Sequence, residues 1–160
     1  IAIALINKPD LIIADEPTTA LDVTIQGQIL FEMQKLCRES GAGLIWITHD
    51  LSVLYQIADT ILVMYAGKLA EKAPAETIVD APAHPYTRML LSSLPEVGVR
   101  YAEKRLSGIP GRPPSLLEPP TGCRFKTRCP LAFEKCAEEP PFVEVAPGQA
   151  AACWKATASC

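Results

Sequence analysis

Two carboxylates stand side by side in the run Leu11-Ile12-Ile13-Ala14-Asp15-Glu16-Pro17-Thr18. The arrangement suits phosphate chemistry. One acid at a strand end can hold Mg²⁺ or its waters, and the next, projecting differently, can orient and polarise an attacking water. Taken alone, two acids that merely open a polar loop would read the same way. A third acid, Asp22, lies seven residues past Asp15 in Ala20-Leu21-Asp22, where it can cap a following helix. His49 sits in Ile47-Thr48-His49-Asp50. An imidazole there can donate a hydrogen bond to a phosphate oxygen and stabilise charge in transfer, although in isolation it reads as a surface histidine. His84, with no such context, reads as a loop or capping residue. Cys123, Cys129, Cys136 and Cys153 are spaced C-x5-C-x6-C-x16-C. That spacing matches neither the paired C-x2-C of zinc ribbons nor ferredoxin patterns. Zn²⁺, an iron–sulfur cluster, disulfides and free thiols all stay open on spacing alone. Cys37 reads as a core residue on its helix, and Cys160 has no assignable role.

The elements that must position these groups follow from periodicity. Residues 1–6 are an apolar run without a preceding cap, read as the middle of a helix that stops at Asn7-Lys8-Pro9-Asp10. The apolar runs 11–14 and 44–48 lack alternation and read as strands buried on both faces. Between them Ile25, Ile29, Leu30, Met33, Leu36 and Cys37 recur at helical spacing, and Ser40-Gly41-Ala42-Gly43 ends that helix. A further helix is predicted over 51–58. Strand, tight turn and strand are predicted over 60–65, 66–68 and 69–73. Alternating strands and helices imply an α/β domain with a mainly parallel sheet. Ligands of such sheets sit beyond the carboxyl ends of the strands, where Asp15-Glu16 and His49-Asp50 both fall. Short helices are predicted over 74–79 and 85–94, with Pro85 at a first helical position. Five prolines between Ile109 and Pro120 predict an irregular linker. The tail, 121–160, has few apolar residues and is expected to depend on a metal centre or on docking.

The run Asp15-Glu16-Pro17-Thr18-Thr19-Ala20-Leu21-Asp22 resembles the Walker B motif and D-loop of ABC ATPases, with Ala20 where many members carry serine. His49 resembles that family's switch histidine. The resemblance implies that Glu16 polarises water, Asp15 supports Mg²⁺, His49 contacts the γ-phosphate of ATP and Asp22 faces the nucleotide of a partner ATPase. It covers only the second half of a nucleotide-binding domain of the P-loop NTPase type. The chain has no G-x-x-x-x-G-K-[ST] phosphate loop and no Gly-rich signature motif, so by itself it is expected to be inactive and not to bind ATP. The stretch His84-Pro85-Tyr86-Thr87-Arg88-Met89-Leu90-Leu91, together with Gly108-Ile109-Pro110-Gly111, resembles the extension of oligopeptide and dipeptide importer ATPases. Nickel importers share much of it. Gly122-Cys123-Arg124-Phe125-Lys126-Thr127-Arg128-Cys129-Pro130 resembles the extension's cysteine motif, which implies a [4Fe-4S] cluster on Cys123, Cys129, Cys136 and Cys153, with Zn²⁺ as the alternative. Arg124, Lys126 and Arg128 could offset the thiolate charge.

The resulting division is 1–80 as the C-terminal part of an ABC ATPase domain, 81–120 as the importer-type extension and linker, and 121–160 as the cysteine-rich tail. A net charge of −3 argues against nucleic acid as the main ligand and so against a non-transport ABC protein. A third reading is an inactive fragment whose competent part is the metal-binding tail. No apolar run approaches the roughly 18 residues of a membrane span, so any membrane role works through partners. By resemblance these are permease subunits, a second ATPase subunit in a homo- or heterodimer and, indirectly, a periplasmic or extracellular peptide-binding protein. The place is then the cytoplasmic face of the bacterial inner membrane.

Overall fold

The computed structural model describes residues 6–19, 21–94 and 108–157. The predicted helix over 1–6 lies largely outside them. The chain divides into two compact units, Ile1–Ala58 and Asp59–Cys160.

In the first unit, strand β1 (Leu11–Asp15) and strand β2 (Gly43–Ile47) pair in parallel, Ile13 opposite Ile45 and Asp15 opposite Ile47. The crossover is helix α1 (Val23–Ser40). Asp22 starts it by accepting a 3.0 Å hydrogen bond from the Ile25 amide, and Gly41 ends it at φ 71°, a left-handed conformation open to glycine. Leu30 and Met33 are buried, while Cys37 is half-buried. Helix α2 (Leu51–Ile57) begins on Asp50, whose carboxylate accepts from the Ser52 amide at 2.9 Å.

The prediction that both strands are buried on two faces holds for one face only. Ile12 is buried, but Leu11, Ile13, Ile45 and Ile47 are each about half exposed or more. The strand register places these four on one face. A parallel sheet is ordinarily covered on both sides because its crossovers put helices there, and among the described residues nothing covers this side.

The mainly parallel sheet expected for the chain is likewise limited to these two strands. The second unit carries a four-stranded antiparallel sheet in the order β3-β4-β6-β5. Here β3 is Thr60–Tyr65, β4 Lys68–Pro74, β5 Val143–Ala146 and β6 Gln149–Ala151. Ala66 (φ 48°) and Gly67 (φ 79°) form the two-residue turn between β3 and β4. Positive φ at both positions is what a hairpin turn of matching twist requires. Ile61, Val63 and Tyr65 are buried, while Leu62 and Met64 face solvent, as alternation demands. Helices α3 (Ala75–Asp80) and α4 (Pro85–Ser92) follow. His84 caps α4 by accepting a 3.0 Å hydrogen bond from the Tyr86 amide, the capping role read from sequence. A single 3-10 turn, Glu134–Ala137, carries Cys136, and a short helix α5 (Trp154–Thr157) follows Cys153.

The tail is therefore part of the hairpin's sheet. β4 pairs with β6 through Glu71–Ala151 and Lys72–Ala150. A buried polar knot reinforces this union. Glu71, with no exposed surface, accepts from the Ala83 amide (2.7 Å), the His84 amide (3.0 Å) and the Gln149 side-chain amide (2.8 Å). Three donors meet the carboxylate, which is what makes its burial tolerable. In the same unit Tyr65, Tyr86 and Phe125 cluster with ring centroids 4.6 to 5.4 Å apart. Arg128 donates to the carbonyls of Ile109 and Pro110, both at 2.8 Å, so the end of the proline-rich linker is pinned to this core.

Candidate functional site

Glu16 and His49 are 33 residues apart in sequence and meet at the carboxyl ends of β1 and β2. The His49 Nδ1 lies 2.8 Å from Glu16 Oε1. The other oxygen, Oε2, accepts from the Thr19 hydroxyl at 2.9 Å. The Glu16 amide donates to the Ile47 carbonyl at 2.9 Å, extending the β1–β2 ladder by one residue and so bringing the two side chains together. Glu16 has φ 47°, a left-handed conformation that costs a side-chain-bearing residue about 1–2 kcal/mol. Thr19 has no counterpart in the sequence-based site, although its place three residues past Glu16 was the available signal.

The pair perturbs both groups. The His49 hydrogen bond, then that of Thr19, holds the Glu16 carboxyl below its usual range, and the same hydrogen bond to Glu16 raises the His49 imidazole. Because a carboxylate only accepts, Nδ1 carries the proton, and Nε2 makes no hydrogen bond among the described residues. The pair is fully charged between the lowered carboxyl and the raised imidazole. Its contribution weakens as pH falls through the first or rises through the second. In an NMR titration His49 is expected to titrate above the ordinary imidazole value of about 6.5 and to fall back toward it in Glu16→Gln. A wild-type value at or below the ordinary one would rule out the pair. Asp15 is exposed at the end of β1, and the Asp22 side chain caps α1.

The four cysteines of the tail line one small pocket in the second unit, with Pro85, Phe125, Leu131 and Trp154 among its walls. All four are free thiols, so the disulfide alternative is not what the structure contains. Cys136 and Cys153 are buried. Burial raises the Cys123 and Cys129 thiols above their usual range, and the neighbouring thiols add like-charge repulsion. The Cys123 amide donates to the Cys136 carbonyl at 3.1 Å, joining the first and third cysteines through backbone. Yet among the described residues no three His, Cys, Asp or Glu side chains are arranged to hold a metal ion. The four cysteines share one pocket, and a metal centre on them stands as an expectation. The cations between the first two cysteines also hold backbone carbonyls. Arg124 donates to Ala66 O, Lys126 to Thr121 O, and Arg128 to Ile109 O and Pro110 O.

Among the described residues no helix is long and apolar enough to cross a membrane. Residues 70–136 match the family model described as the C-terminal region of oligopeptide/dipeptide transporters. The chain is 49% identical over 156 residues to a probable peptide ABC transporter ATP-binding protein of Sinorhizobium fredii, a match spanning 97% of this chain and 46% of that protein. It is 48% identical over 155 residues to the oligopeptide transport ATP-binding protein OppD of Salmonella typhimurium, again 97% of this chain and 46% of the relative. Over 136 residues it is 52% identical to the dipeptide transport ATP-binding protein DppD of Bacillus subtilis, covering 85% of this chain and 40% of that protein. The chain thus spans about half the length of the relatives it matches. With these motifs in place at the strand ends and this similarity along nearly its whole length, the chain belongs to the oligopeptide/dipeptide ABC importer family of ATP-binding subunits, as their C-terminal part.

Proposed function

We propose that the full-length protein hydrolyses ATP to power uptake of oligopeptides or dipeptides through membrane permease subunits. It would do so as a peripheral subunit at the cytoplasmic face of the inner membrane, paired with a second ATPase subunit and fed by a peptide-binding protein. The observation that carries this reading is the Glu16–His49 hydrogen bond at the ends of two parallel strands. It puts a carboxylate and an imidazole at the place where such sheets bind ligands. Glu16 would accept hydrogen bonding from the attacking water through a lone pair left free by His49 and Thr19. His49, protonated on Nδ1 and raised in pKa, would offer Nε2–H to the γ-phosphate. Asp15, exposed and without a hydrogen-bond partner among the described residues, fits a ligand of Mg²⁺ or its waters; the ion would supply charge neutralisation on the phosphates. Asp22 would turn toward the partner's nucleotide while its carboxylate caps α1. The bare face of Leu11, Ile13, Ile45 and Ile47 supports the reading of residues 1–80 as part of a larger nucleotide-binding domain, since a parallel sheet needs that face covered.

The peptide cargo is favoured over nickel by the relatives' names. In vesicles containing the assembled transporter, ATP-driven accumulation of peptide is the expected result. Accumulation of nickel instead would reassign the cargo, and no uptake of either would overturn the reading.

For the tail, we propose a [4Fe-4S] cluster on Cys123, Cys129, Cys136 and Cys153. Four free thiols on one pocket with apolar walls fit such a group in donor number and kind. A lone Zn²⁺ on the same four thiols is the alternative. Bound there, the group would hold together a tail with little apolar core. Anaerobic purification is expected to yield a brown protein with iron and sulfide near four each per chain. A colourless protein with one zinc would replace the cluster by an ion.

A further inference from the structure

A second cavity shares Cys123 and Phe125 with the thiol pocket. It is a groove of about 490 Å³ between the start of β4 and the segment leading into β5. Its walls are mostly apolar: Leu69, Phe125, Pro140, Pro141 and Phe142. Three charged side chains also line it, Lys68, Arg124 and Glu139. Lys68 and Glu139 are paired with each other. Arg124 forms neither of the ion pairs found among the described residues, though its charge helps to hold the Glu139 carboxyl below its usual range after the larger effect of Lys68. Half-buried, it donates through Nη1 to the Ala66 carbonyl at 2.9 Å; its other donors make no hydrogen bond among those residues. Volume and lining match those of small-molecule sites, which are concave and mainly apolar with few polar groups.

We infer that this groove binds a small amphipathic carboxylate, its anionic head on the Arg124 guanidinium and its apolar body along Phe125, Leu69 and Phe142. The charge balance selects the ligand: Lys68 and Arg124 face the single carboxylate of Glu139, leaving one positive charge to be met by one negative charge. The head is a carboxylate because its plane and two oxygens match the fork of a guanidinium. A doubly charged phosphate would lose more hydration against these apolar walls than one cation returns. The aromatic and proline walls favour an apolar body and give no cation to hold a second charge. This site is independent of the ATPase reading, since none of its residues belongs to the Glu16–His49 pair.

Octanoate is the probe. Calorimetric titration into the full-length protein is expected to show one saturable site per chain, with Kd on the order of 0.1 mM. Octylamine, equal in length and opposite in charge, should bind at least about tenfold more weakly, the difference one charge-assisted contact makes. Arg124→Gln should weaken octanoate by about tenfold for the same reason. Because Arg124 also ties the Ala66 turn, a second variant is needed. Phe142 is exposed, so Phe142→Asp should melt with the wild type yet abolish binding by setting a hydrated anion against the ligand's apolar body. Octylamine binding as well as octanoate, a normally folded Phe142→Asp that keeps wild-type affinity, or the absence of saturable octanoate binding would each overturn the proposal.

Discussion

Replacing Glu16 by glutamine in the full-length protein is expected to slow ATP hydrolysis by about 10²–10⁴-fold, the usual loss when a positioned general base is removed, while leaving nucleotide binding nearly unchanged. The substitution preserves shape and removes charge. Glu16 Oε2 accepts from Thr19 and Oε1 faces His49 Nδ1. Glutamine can keep the Thr19 contact through its carbonyl, but its amide nitrogen then points a donor at another donor. The water would lose its acceptor, and the histidine would lose the partner that sets its tautomer and raises its pKa. Thr19→Ala, which removes one hydrogen bond and leaves the carboxylate, should cost far less. Turnover and nucleotide affinity measured on the same preparations separate the two effects. Near-normal turnover in Glu16→Gln would remove Glu16 from the mechanism. A parallel loss of binding and turnover would place it in nucleotide binding.

The second large effect is expected at Gly122. Its φ is 73°, and a Cβ there would lie 2.3 Å from the Ala137 carbonyl oxygen and 2.6 Å from that of Cys136. Both obstacles are backbone, so neither can swing aside. Gly122→Ala should therefore destabilise the second unit by about 2–5 kcal/mol, combining left-handed strain with overpacking. The displacement falls on the hydrogen bond from the Cys123 amide to the Cys136 carbonyl, so the alignment of two cysteines should go with it. Gly148 supplies the control. It has φ 72° but nothing within 4 Å of an added Cβ, so Gly148→Ala should show only the conformational part, about 1 kcal/mol. Thermal melts of the two variants, with metal content measured alongside, make the comparison. Equal melting temperatures would mean that the close approach at Gly122 carries no weight.

The short motifs were legible in the sequence because their meaning is local. Asp22 caps the helix that follows it, His84 caps α4, and the turn at Ala66-Gly67 joins the strands predicted on either side of it. Each is settled by hydrogen bonds within a few residues. The β1 and β2 runs were also legible as strands, since their short length and the Pro9 and Gly43 before them favour a strand over a buried helix. Their burial was not, because what covers a strand is decided by chain far away in sequence.

The runs around Asp15, Glu16, Asp22 and His49 carried the resemblance to ABC ATPases, and the four cysteine positions determined that the tail carries clustered thiols. Only tertiary structure decided how these groups meet. The parallel register of β1 and β2 put Glu16 against His49 across 33 residues, with Thr19 as an unforeseen third member. The pairing of β4 with β6 drew the tail into the hairpin's sheet, around a buried Glu71 whose donors come from residues 83, 84 and 149. An acid in a strand otherwise buried through Ala70 and Ala73 was the one sign of that knot in the sequence, and its partners could not be named from spacing. The same holds for the four thiols: sequence spacing fixes how far apart they can be, while the distance at which they stand depends on non-local pairing, whose cost in chain entropy is offset only once the whole sheet has formed.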